Sequence, residues 1–222
     1  DAGTGTLDAA TNNTGLGHEV FDDLTSGDNN TGVGMQALTK LTTGSQNTAM
    51  GALALDANTT ADNNTAVGYN ALTGNTTATA NTAVGSQAAD ALTEGQFNTA
   101  IGHTALGADT LGSHSVALGY GALTTQNFTT ATNAFNTALG NNALYANTTG
   151  TSNTAAGYAA LDANTTGGSN VAVGRDALGA NTTADANTAL GYGSLRDNTT
   201  GSGNVGLGYL ALEENTTGGN NV

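Results

Sequence analysis

The sequence predicts an all-β fold, a parallel β-solenoid of about twelve 17-residue coils. Three observations predict it: strict internal periodicity, chemical segregation of the repeat into columns, and a composition hostile to helices. Asn-Thr-Ala-Val-Gly at residues 64–68 recurs along the chain. With that Asn as position 1, repeats start at residues 13, 30, 47, 64, 81, 98 and 115. They resume at 136, 153, 170, 187, 204 and 221. Every step is 17 residues except Ser115 to Asn136, which is 21. Thr (41), Ala (39), Gly (33) and Asn (28) dominate the 222 residues, and three of these four are weak helix formers.

Each element follows from its columns. Residues 1–12 are off-register and read as a partial coil or cap. Residues 13–222 read as one solenoid domain with a four-residue insertion within 124–135. Short strands are expected around positions 2–4 and 7–9, and a third stretch around Asn-Thr-Thr is possible. Positions 4 and 9 are apolar almost throughout, so Val67 and Leu72 stand for two columns expected to fill a thin interior. Position 5 is Gly in all twelve repeats, including Gly68, Gly85 and Gly102. Such a column implies positive φ or an approach that excludes Cβ. Asn64 represents the position-1 Asn, expected to satisfy turn backbone and pair with its copy one coil away. Position 12 is Asn in seven repeats and Leu24, Leu41 and Leu92 in three others, and is expected to face inward. The Asn-Thr-Thr segments there are also glycosylation sequons, but inward acceptors cannot be modified. Twelve coils at ~4.8 Å would stack into a rod about 57 Å long.

The same composition excludes several function classes. Lys40, Arg175 and Arg196 are the only basic residues against 17 acidic ones, a net charge of −14. Nucleic acid and direct membrane binding are therefore not expected. With no cysteine there is neither disulfide nor Cys-based metal site. No apolar run reaches membrane-spanning length and no signal peptide opens the chain. Asp1 in place of Met reads as a processed product or fragment. No catalytic constellation is found, so the chain reads as no enzyme, with no cofactor. Glu19, Asp22, Asp23 and Asp28 could hold calcium loosely, although a solvated acidic end accounts for them as well.

The candidate binding surface is aromatic. Position 6 carries Tyr69, Tyr120, Tyr158, Tyr192 and Tyr209, with His18, His103, Met35 and Arg175 interspersed. This column reads either as a packing ladder or intersubunit seam, or as a strip gripping glycans or a host surface. Phe97, His114 and Phe135 end three successive repeats and should stack beside the insertion, which also contains Phe128. A protruding loop beside aromatics is where a uniform rod could acquire specificity.

His114-Ser115-Val116-Ala117-Leu118-Gly119, Asn170-Val171-Ala172-Val173-Gly174 and the Asn-Thr-Ala-Val-Gly copies resemble the head repeats of trimeric autotransporter adhesins (YadA-like). Similar arrays occur in tail-fibre-like and surface proteins. The resemblance covers almost the whole chain. It implies a left-handed parallel β-roll, often homotrimeric, exposed extracellularly on a cell or virion. The repeat is longer than the usual adhesin coil, and no neck, stalk or anchor is in view. The function expected is a structural or adhesive rod forming a fibre, filament or adhesin head, binding a host-surface or glycan receptor through avidity. Residues 221–222 begin a further repeat in register, so end-to-end self-association is also expected. The alternative is ice binding by threonine columns, although Val116, Val171 and Val205 break the position-2 ladder.

Overall fold

The computed structural model describes residues 10–222. The chain is all-β, with no helix among the described residues. Twelve three-residue strands, from Thr14–Leu16 to Val205–Leu207, form one parallel sheet in chain order. Its register is one repeat per rung: Thr14 lies opposite Thr31, Ala49 opposite Ala66 and Leu190 opposite Leu207. The long repeat does not interrupt it, because Val116–Leu118 pairs with Thr137–Leu139. The fold is a parallel β-solenoid, with about eleven turns between the first and last strands. The partial coil or cap expected over residues 1–12 lies outside the described residues as far as residue 9.

The interior is filled from positions 1, 3, 8, 9, 12 and 15. Position 9 faces inward as expected: Leu38, Leu55, Leu72 and Leu106 are fully buried, against Ala37, Ala54, Ala71 and Ala105 at position 8. Position 4 corrects the expectation. Val67 lies half-buried on the outer side of its strand, and Leu16 and Leu207 are 69% and 65% exposed. Side chains alternate along a strand, so only position 3 or the pair 2 and 4 can face in. Position 3 takes the inside because the core beside the position-9 leucine leaves room only for Ala or Gly. Ala49, Ala66 and Ala83 are fully buried there.

The strand expected at positions 7–9 is absent, and a turn takes its place. Positions 7, 9 and 17 are left-handed in non-glycine residues: φ is 56° at Asn70, 51° at Leu72 and 60° at Asn63. Each such residue costs about 1–2 kcal/mol locally. Bonds between coils hold them there. The Leu72 N–H donates to Ala88 O at 3.0 Å, and those of Asn70 and Asn63 donate to Ala52 O and Ser45 O, both at 3.1 Å. From position 9 to position 1 of the next coil, burial recurs every third residue, as at Leu55, Asn58, Ala61 and Asn64. That period, rather than two, explains why this part of the coil is not strand.

The glycine column satisfies both of its expected reasons. Gly68, Gly85 and Gly102 have φ of +139°, +135° and +135°. A Cβ on Gly68 would meet the Gly85 carbonyl, lying 2.6 Å from its carbon. The asparagines form the expected ladders. Asn64 is fully buried; its Nδ2 donates to Ala78 O at 2.8 Å and its Oδ1 accepts the Asn81 N–H at 3.0 Å. At position 12, Asn164 Nδ2 donates to Asn147 Oδ1 at 2.9 Å and to Gly167 O at 3.0 Å. Leu24, Leu41 and Leu92 occupy the same buried column. The sequon amides of Asn58, Asn75, Asn147, Asn164, Asn181 and Asn198 are thus buried and engaged with backbone carbonyls.

Candidate functional site

The one irregular coil is built around a buried polar cluster. Ser115 stands where eleven repeats have Asn, and its hydroxyl is too short to carry the ladder. Gln126, at position 12 of the same coil, supplies the missing amide. Its Nε2 donates to Ser115 Oγ at 3.0 Å and to Asp109 Oδ2 at 2.6 Å. Its Oε1 accepts from Asn136 Nδ2 at 2.8 Å, rejoining the ladder beyond. Asp109 occupies the Asn/Leu column one coil earlier, and its Oδ1 accepts the Gly112 N–H at 3.0 Å. Burial raises the Asp109 pKa, and bonds from Gln126 and backbone amides oppose that rise.

The extra residues follow this cluster. The Asn127 N–H still donates to Thr148 O, as position 13 does elsewhere, and the chain rejoins the stack where Thr132–Asn133 pairs with Gly112–Ser113. Phe128 corrects the surface assignment: it is 5% exposed, turned in against Gly112, and anchors the excursion. Phe97, His114 and Phe135 do come together, with centroids 5.1 and 5.3 Å apart. Both phenylalanines remain more than half exposed.

Position 6 is a corner ladder. Tyr192 and Tyr209 stack at 5.3 Å and 15°, and Tyr120 stacks on His103 at 5.7 Å and 14°. The Arg175 guanidinium lies between Tyr158 and Tyr192, 5.5 and 5.8 Å from the ring centres, and pairs with Asp176 at 3.0 Å. Tyr69 stands apart, flanked in its column by Ala52 and Ser86. Stacking turns ring faces toward one another along the rod, so edges and hydroxyls are what this ladder presents to a partner.

Asp90 and Asp162, two of the position-10 acids, have raised pKa values, burial being the main cause. No group of three or more His, Cys, Asp or Glu among the described residues is arranged to hold a metal ion. Of the acids considered for calcium, Glu19 accepts from Gln36 Nε2 at 2.7 Å, and Asp28 accepts the Thr11 N–H and hydroxyl at 2.6 and 2.8 Å.

Sequence reasoning missed the outer face of the sheet. Positions 2 and 4 project from it, and Leu16, Met50, Leu118, Leu139, Leu190 and Leu207 are each at least 40% exposed. The missed signal was the always-small third column, which fixes which way the strand faces. No protein-family model, curated protein or solved structure matches the chain.

Proposed function

We propose that the chain is a non-enzymatic structural or adhesive rod, part of an extracellular fibre, filament or adhesin head on a cell or virion. The observation that carries this reading is twelve strands in unbroken register, stacking one coil on the next along the whole sheet. Such a body gains binding strength by repetition, each rung adding a weak contact about 4.8 Å from the last. The head-repeat resemblance supports exposure outside the cell and self-association, end to end or as a homotrimer. A receptor would meet the position-6 tyrosine edges or the excursion beside Phe97, His114 and Phe135. Electron microscopy of the purified protein tests this. Rods about 53 Å long, alone or joined, are expected from eleven strand spacings; irregular or collapsed particles would refute it.

One observation favours a second reading, ice binding. Nine of twelve position-2 residues are Thr, standing on the outer face of a regular sheet. Against it, the position-4 neighbours vary from Ala156 to Met50, which roughens that face. The other threonine ladder is occupied: Thr25, Thr42 and Thr165 donate their hydroxyls to the next coil's carbonyl at 2.9 Å. A thermal-hysteresis measurement separates the two, the rod reading requiring none.

A further inference from the structure

Carboxylates avoid one side of this rod. Of the 17 Asp and Glu residues, Asp1 and Asp8 precede the first complete repeat, leaving 15 (17 − 2). All 15 fall at positions 7–16, from Glu19 and Asp176 at position 7 to Asp28, Asp62 and Asp185 at position 16. Positions 17 through 6 carry none in any repeat. That stretch contains the whole sheet, and its two outward columns, positions 2 and 4, hold only Thr, Val, Leu, Ile, Met and Ala. In a chain of net charge −14, two copies approaching by any other side bring carboxylates together.

We propose that copies of this chain bury the outer face of the sheet against one another, with the position-4 column at the centre of the contact. This deepens the reading of a self-associating rod by naming the face. Aliphatic side chains at every rung of position 4, exposed at six and half-buried at the others, line up as one apolar strip, whereas isolated surface apolars would be ordinary. Eleven strand spacings by three residues of strand cover about 53 by 10 Å, or about 530 Å² per copy. Two copies then bury on the order of 1,100 Å², above the ~1,000 Å² at which specific association begins. The flanking columns extend the contact, with Tyr192 and Tyr209 along one edge and Phe97 and Phe135 along the other. An apolar centre free of carboxylates, with aromatics beside it, matches the charge-poor, aromatic-rich core of a contact between proteins.

Sedimentation equilibrium of the purified full chain tests the proposal. The expected result is a mass that is a multiple of 21.6 kDa. Leu139→Glu should lower the association constant at least 100-fold, with the far-UV circular dichroism of the wild type retained. Met50→Glu, on a distant rung, should do the same, so the result does not hang on one variant. Thr60→Glu, on the acidic side, should leave association unchanged. A monomeric wild type, or an oligomer indifferent to both glutamates at position 4, overturns the proposal. Wild-type rods joined end to end, with association that neither glutamate at position 4 weakens, would show the fibre reading surviving while the face fails. Irregular particles from the wild type would instead remove the rod itself.

Discussion

Gln126 reaches Ser115 through the core, its Nε2 3.0 Å from the serine hydroxyl, and so replaces the asparagine that every other coil places there. One amide joins three coils, through Asp109, Ser115 and Asn136, and keeps the ladder continuous within the only long repeat. Gln126→Ala should therefore cost about 2–4 kcal/mol, combining a cavity with buried polar groups left unpartnered. The urea midpoint reports it. A loss below about 1 kcal/mol would mean that the bridge is dispensable.

Gly68→Val should cost more than about 3 kcal/mol, because the added side chain meets both a glycine-only φ and the Gly85 carbonyl. Gly208, at the last rung, has φ +121° but nothing within 4 Å of a built Cβ. Gly208→Val should thus cost distinctly less. Equal melting temperatures for the two variants would remove the coil-contact half of the argument.

Leu72→Asp and Val67→Asp should part company. Leu72 is fully buried, and a carboxylate there faces only apolar neighbours, so the stack should fail to form. Val67 lies on the outer face, and Val67→Asp should keep the fold with a loss of about 1 kcal/mol. Circular dichroism of both settles the inward and outward columns.

Asp109 makes stability depend on pH. Its carboxyl binds a proton more tightly folded than unfolded, because burial disfavours the charge. Between 3.8 and the raised folded value the folded state therefore holds more protons, and stability falls as pH rises. Asp90 and Asp162 act in the same direction. Asp109→Asn, which places there the residue that seven other coils carry at position 12, should raise the melting temperature at pH 7 and flatten its decline above pH 4. A lower melting temperature at pH 7 would show that the carboxylate is preferred.

Ala186 sits at position 17 with φ 59°, where three other coils place Asn, at Asn29, Asn63 and Asn220. Asn tolerates this conformation and Ala does not. Ala186→Asn should stabilise by about 0.5 kcal/mol, readable in the denaturant midpoint; a loss would mean the column is not selected by backbone conformation.

The architecture was legible because one period of 17 repeats twelve times, and no helix tolerates Gly, Thr and Asn so placed. Gly68 and Asn64 declared their roles in the same way, since Gly holds its position in every repeat and Asn its position in all but the coil of Ser115. The direction of the strand was misread because Val67 looks like core and Ala66 looks neutral, whereas the narrow interior accepts only the alanine. The left-handed backbone at Leu72 was illegible: leucine has no local preference for it, and bonds between coils impose it. Phe128 looked like surface because it lies in an insertion, yet a large ring beside Gly112 gains more by filling that space.

The absence of native cysteine makes the central claim directly testable by cross-linking. Leu139→Cys on the sheet face and Thr60→Cys on the acidic side are each treated with a long flexible bis-maleimide in dilute solution, and the products are resolved by denaturing electrophoresis. If copies bury the sheet face, Leu139→Cys should convert largely to a cross-linked pair while Thr60→Cys stays monomeric. Linkage through Thr60→Cys with none through Leu139→Cys would contradict the account.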